Sequence, residues 1–132
     1  MTDLLDRLAA KGVKFLGWVA PGRMVGRRGV DLVALAEDGL AELWSLQLPS
    51  QEKGSLLADE QTILWNKGGE RGVLIVVAAS DGRQLYALEG ERAIMLDRDR
   101  FLARNDDGTA SLRRTESGEL IVSLRGLSQE LP

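Results

Sequence analysis

Residues 29–61 read GVDLVALAEDGLAELWSLQLPSQEKGSLLADEQ, and the reading of this stretch decides the fold. Two β-type runs, 31–36 and 41–48, flank Glu37-Asp38-Gly39. An Asp-Gly between alternating runs is the strongest short-range hairpin signal. Asp31 opens the first strand, and Ser45-Leu46-Gln47 closes the second. Because side chains alternate across a strand, Ser45 and Gln47 share a face with Leu43, while Trp44, Leu46 and Leu48 point to the other. Two polar residues two apart, ending an otherwise apolar strand, mark a candidate site. Downstream, 58–67 reads as a short helix: Asp59 and Glu60 suit its first turn, Gly68-Gly69 terminates it, and Leu57, Glu60 and Leu64 share a stripe. Residues 73–79, VLIVVAA, have no polar member, as expected of a strand covered on both faces. Strand, helix, strand at this spacing implies a crossover connection and a parallel pair, and so an α/β core.

Working outward, Thr2 is placed to cap a helix running to Lys11, with Leu4, Leu5, Leu8 and Ala9 at helical spacing and Gly12 as its stop. Residues 13–20, VKFLGWVA, follow as a first strand, and 21–29, PGRMVGRRG, as a glycine-punctuated loop carrying Arg23, Arg27 and Arg28. Beyond Ser80, the turn signals Asp81-Gly82, Asn105-Asp106-Asp107-Gly108 and Glu116-Ser117-Gly118 separate β-type runs at 84–88, 93–96, 110–115 and 119–125. The last two read as a hairpin, and 99–103 fits a strand or a helical turn equally. No internal repeat is legible. The expected layout is an α/β core over 1–80 with a β-rich extension over 81–132 packed on the same domain.

At 132 residues, 44% hydrophobic and 28% charged, the chain fits one folded globular domain. A formal charge of −3 argues against coating nucleic acid by bulk electrostatics. There is no cysteine and no histidine, which removes disulfides, thiolate metal sites, cysteine nucleophiles and the Ser-His-Asp arrangement. Any enzyme here would work with carboxylates, Lys or Arg, hydroxyls and Mg²⁺. No apolar run approaches the roughly 18 to 20 residues of a membrane span, and the N-terminus has acids where a signal peptide carries basic residues, so the expected location is the cytoplasm.

The order of these elements resembles the PD-(D/E)xK nuclease superfamily, and within it the small VRR-NUC domains. The matching residues are Lys14-Phe15, Pro21-Gly22-Arg23, and Gly26-Arg27-Arg28-Gly29-Val30-Asp31 leading into Leu32-Val33-Ala34-Leu35. They continue through Asp38-Gly39, Gln47-Leu48-Pro49, Lys53-Gly54 and Glu60-Gln61. The resemblance implies a restriction-endonuclease-like fold, a mixed central sheet flanked by helices. It also implies that Asp31, Ser45 and Gln47 occupy the catalytic positions, with Ser45 and Gln47 where the family has its acid and lysine. A serine brings no second negative charge and a glutamine no removable proton, so Mg²⁺ held by Asp31 alone would bind weakly.

Two readings follow from the resemblance. In one, the chain is a catalytically impaired nuclease-fold protein that binds branched or duplex DNA or a protein partner. In the other, it is an active Mg²⁺-dependent endonuclease in which Glu60 on the following helix replaces the missing acid, so that Asp31 and Glu60 hold the metal. Arg23, Arg27, Arg28 and Lys53 form the candidate nucleic-acid patch. A third reading is an assembly or regulatory subunit acting through its C-terminal strands, and related small nucleases suggest a homodimer. Each residue also has a plainer role: Asp31 in a turn, Ser45 and Gln47 on a polar strand edge, Glu60 at a helix dipole, and the arginines on a solvated loop.

Overall fold

A computed structural model describes residues 2–48, 54–67 and 72–124. One helix, α1 (Thr2–Ala10), precedes twelve strands among these residues. They are β1 (Lys14–Ala20), β2 (Arg23–Arg28), β3 (Asp31–Ala36), β4 (Glu42–Gln47), β5 (Gly54–Ala58), β6 (Thr62–Lys67), β7 (Val73–Ala78), β8 (Gln84–Glu89), β9 (Glu91–Asp97), β10 (Arg100–Asn105), β11 (Ala110–Arg114) and β12 (Leu120–Leu124). They form three four-stranded sheets, each an antiparallel meander in chain order: β1 to β4, β5 to β8 and β9 to β12. The α/β expectation is therefore overturned, and with it the crossover helix, the parallel pair and the nuclease core.

The hairpin around Asp38-Gly39 forms as read, with β3 antiparallel to β4. The helix expected over 58–67 is instead the end of β5, a turn and β6. Asp59 makes the turn: its Oδ1 accepts hydrogen bonds from the backbone N–H groups of Gln61 and Thr62, both at 2.9 Å. A carboxylate that binds the backbone two and three residues on offers an alternative to a helical start. Every residue from Thr62 to Asn66 is buried, because the second sheet is covered on both faces, and such a strand shows no polar alternation to read. The loop expected over 21–29 is largely β2. Gly26 sits inside that strand because a Cβ there would overlap the Val13 side chain and stand 2.7 Å from the Lys14 carbonyl oxygen. It marks close backbone approach and not a loop.

The sheets stack face to face. Val25, Leu32, Ala34 and Leu48 of the first sheet pack against Ile63, Trp65, Ile75 and Val77 of the second. The opposite face of the second sheet brings Leu64, Leu74 and Val76 against Ala93, Phe101 and Ala103 of the third. β5 lies beside both β1 and β9, so the first strands of the sheets line one edge of an arc. The first sheet's outer face is closed by α1, whose Leu8 joins Val13, Met24, Val33, Leu35 and Leu40 in a separate core.

The structure repeats where the sequence showed no repeat. Pairing registers align Gly17, Val25, Ala34 and Trp44 as one row across the first sheet. The row Leu57, Leu64, Val76 and Tyr86 occupies the same place in the second sheet. In the third it is Met95, Leu102, Leu112 and Val122. In each sheet the pairing of the last two strands slips just past this row, at Ala34/Leu35, Val76/Val77 and Leu112/Arg113. One backbone bond between the turns also recurs: Glu37 N–H to Gly22 O, Ala79 N–H to Gln61 O, and Thr115 N–H to Asp99 O, at 2.8, 3.0 and 2.9 Å.

Candidate functional site

Three of the four family positions come together. Asp31 pairs directly with Gln47 across β3 and β4, and Ser45 lies opposite Val33, two residues further along. Glu60 does not join them. It sits in the β5–β6 turn, on the side of the sheets where Trp44 meets Ala79, whereas Asp31 and Gln47 lie at the other end of their strands. Asp31 and Glu60 therefore cannot hold one ion, and among the described residues no cluster of three His, Cys, Asp or Glu side chains is placed to bind a metal. Arg23, Arg27 and Arg28 are spread along β2 and do not form a mobile phosphate-binding loop. Arg27 stacks over the Trp65 ring at 5.3 Å and donates to Gly29 O at 3.0 Å, and Arg28 forms an ion pair with Glu42 at 3.2 Å. The Glu42 carboxylate raises the Arg28 pKa. Lys53, with Pro49, Glu52, Gly68 and Gly69, lies outside the described residues.

The repeated row points to a different site. In each of the first two sheets this row is on the face turned toward the following sheet and its centre is sealed: Val25 and Leu64 are 0% exposed, with the outer members partly buried. Among the described residues no sheet covers the corresponding row of the third sheet. Met95 is 59% exposed and Val122 42%, with Leu102 and Leu112 partly buried between them. An uncovered row of four apolar side chains across a whole sheet is an unfilled interface, unlike a scattered surface leucine.

Polar anchors recur at the same interfaces. Trp44 donates its indole N–H to Ala79 O at 2.9 Å, joining the first sheet to the second. Tyr86, at the same register position one sheet on, places its hydroxyl 2.8 Å from Thr115 O and 3.1 Å from Arg114 O. Both rings rest on a glycine of the next sheet. A Cβ at Gly82 would overlap the Trp44 indole, and one at Gly118 would stand 2.9 Å from the Tyr86 ring. Burial pushes the Tyr86 hydroxyl pKa up to about 12, with the Glu91 carboxylate adding to the rise and Arg113 opposing it. In the third sheet the position belongs to Val122, which has no donor.

A second anchor is shared by Arg27, Asn66 and Arg104, which pair with Leu32, Leu74 and Ala110 in their respective sheets. Arg27 covers Trp65 of the second sheet. Asn66 grips the third: its Nδ2 donates to Ala93 O at 2.9 Å, and its Oδ1 accepts from Ala93 N–H at 2.8 Å. Arg104 is the third member, and among the described residues no further sheet lies within its reach. On the open face, Arg92 opposite Arg104 and Arg114 opposite Arg100 flank the apolar row on its two sides. Arg100 pairs with Asp97 at 3.4 Å. Behind the sheet, Arg113 binds Glu91 with two hydrogen bonds of 2.9 and 2.8 Å, so that arginine is committed to the interior.

Of these residues the sequence reading singles out Arg27, for a different role, and none of those on the open face of the third sheet. The available signal was strand alternation in RFLARN (100–105), where Phe101 and Ala103 are buried and Arg100 and Arg104 exposed, with Leu102 as the apolar exception.

No protein-family model matches the chain, and no curated protein matches it in sequence. Solved structures do match in fold. The chain is similar to BamB from Moraxella catarrhalis at 18% identity, covering 83% of this chain and 36% of that one, with a TM-score of 0.66. It is similar to a europium-containing methanol dehydrogenase at 14% identity, over 80% and 31% of the two chains, TM-score 0.60. It is also similar to quinohemoprotein alcohol dehydrogenase from Comamonas testosteroni at 13% identity, over 85% and 21%, TM-score 0.57. This chain thus spans about a third or less of the length of each. The likeness is to all-β proteins and overturns the nuclease resemblance, and with it the impaired-nuclease and endonuclease readings, and it lends no support to an assembly role built on that resemblance. What it establishes is the fold, an arc of three sheets of the β-propeller type.

Proposed function

We propose that this chain is a protein-docking element, an arc of propeller sheets whose third sheet presents an interface face to a protein partner. The supporting observation is the row Met95, Leu102, Leu112 and Val122. It repeats, position for position, the rows that the first two sheets bury against their neighbours, and it is bare. Removing such a row from water on binding is worth roughly 25 cal/mol per Å² of apolar surface before the costs of association. The neighbouring arginines suit the rim of a protein interface, where arginine is enriched. Among the described residues no helix is long and apolar enough to cross a membrane.

The test is site-specific photocrosslinking in cells that express the chain. A photoreactive phenylalanine at position 122 is expected to give a discrete protein adduct that Leu112→Glu removes. The same probe at Arg83, an exposed turn residue, is expected to give none. Equal adducts from both positions, or none from 122, would contradict the reading.

A further inference from the structure

Resting on that reading, we infer that the partner docks through a β-sheet whose contact face carries an apolar row rimmed by carboxylates, and that Arg104 is the residue that anchors it. Two observations carry this. The first is continuity with interfaces already formed in the chain. Both covered counterparts of the open row meet the face of another four-stranded sheet, so the surface is shaped for a sheet. Face-to-face sheets pack about 10 Å apart with strands aligned to within about 30°. Both covered counterparts of Arg104, namely Arg27 and Asn66, engage the neighbouring sheet, one by stacking on Trp65 and the other by its paired bonds to Ala93.

The second observation is charge. Along β10 the open face reads Arg100, Leu102, Arg104, with Arg114 and Arg92 as lateral neighbours. Among the described residues Asp97 and Asp99 answer Arg100, and no carboxylate pairs with Arg92, Arg104 or Arg114. A strand laid over β10 therefore meets cation, apolar, cation at alternate positions. Its complement is a strand with carboxylate, apolar, carboxylate on one face, since opposite charges across an interface set register and exclude wrong partners. A second copy offering the same face would place arginine against arginine. The helix-covered end of a copy offers no bare sheet, because α1 already fills that side of the first sheet. The occupant to which the geometry points is thus a different, acid-rimmed sheet on a protein partner.

The full chain is titrated with three cyclic hairpin peptides, pre-organised so that one face of each strand reads Glu–Val–Glu, Gln–Val–Gln or Lys–Val–Lys. The methyl resonances of Leu102, Leu112 and Val122 report binding. The glutamate hairpin is expected to shift these methyls and to bind about tenfold more tightly than the glutamine one, with the difference shrinking as salt rises. The lysine hairpin is expected not to bind. Arg104→Glu should abolish binding of the glutamate hairpin and confer binding of the lysine one, a reversal that a purely structural role would not produce. Equal binding of the glutamate and glutamine hairpins would overturn the carboxylate rim and leave the docking face standing. Silence from all three would overturn the sheet partner, while the crosslink at position 122 judges the docking face separately. Two further results would replace the occupant and overturn the inference. One is concentration-dependent dimerisation of the unliganded chain erased by Leu112→Glu. The other is co-sedimentation with phosphatidylcholine–phosphatidylglycerol vesicles erased by the same change.

Discussion

The two ends of the arc are finished differently. The outer face of the first sheet is closed by α1, with Leu8 and Leu40 filling the space that a preceding sheet would occupy. At Leu40 the chain has a left-handed φ of 53° at the position where the second and third sheets have Gly82 and Gly118. Those glycines make room for the ring of the preceding sheet. Against the first sheet that place is taken by a buried leucine in the core that α1 closes. Among the described residues nothing closes the third sheet's outer face, although it carries the same row of apolar positions. The difference teaches that sheet-facing chemistry is built into every repeat, and that an end becomes inert only where something is added to cover it.

The sharpest way to break this comparison is to truncate one position in two sheets. Leu64 and Leu102 occupy the same register, one sealed and one partly exposed. Leu64→Ala should cost about 2–5 kcal/mol of stability in urea unfolding, as a cavity in a covered core does. Leu102→Ala should cost less than about 1 kcal/mol, as a partly exposed site does. Equal losses would mean that the third sheet's face is covered in solution. The anchors give the next largest contrast. Asn66→Ala leaves the buried N–H and C=O of Ala93 without partners, at about 1–3 kcal/mol for each group orphaned. Arg104→Ala should stay within about 0.5 kcal/mol, because in the unbound chain Arg104 reaches no following sheet.

The smallest effect is read at Tyr86, the chain's one tyrosine. Its phenol absorbance should titrate near the raised value of about 12 in the folded protein and return to about 10 in urea. The raised pKa means that the native state holds this proton more tightly. Stability is therefore unaffected below the unfolded value and falls as pH rises from there toward the folded one, because the unfolded chain releases the proton first. Titration of the native protein near 10 would show that Tyr86 is not docked against the third sheet.

What could be read from the chain follows from how each element is covered. The hairpin of β3 and β4 was legible because Asp38-Gly39 fixes its turn, and β7 because five of its six residues, VLIVV, are β-branched or leucine. β6 reads as a helix because burial on both faces erases alternation and leaves Asp59-Glu60 looking like a helix start. β2 reads as a loop because Gly26, needed for close packing against β1, looks like punctuation. Those two errors turned three antiparallel sheets into strand, helix, strand, and the nuclease resemblance followed from short motifs that happened to fall in that order. The repeat stayed hidden because its diagnostic positions differ in residue type: Trp44, Tyr86 and Val122 in one column, Arg27, Asn66 and Arg104 in another. Only hydrogen-bond register brings them into line. The docking row was invisible for the same reason, since Met95, Leu102, Leu112 and Val122 are far apart in sequence and ordinary for strands.

Methionine oxidation distinguishes a covered third-sheet face from an open one. Met24 lies at 0% exposure beneath α1 and Met95 at 59% on the bare row. Under mild peroxide with peptide mapping, the account predicts that Met95 is oxidised while Met24 stays intact until the protein unfolds. Protection of Met95 equal to that of Met24 in the unbound chain would contradict it, because the third sheet's face would then already be covered.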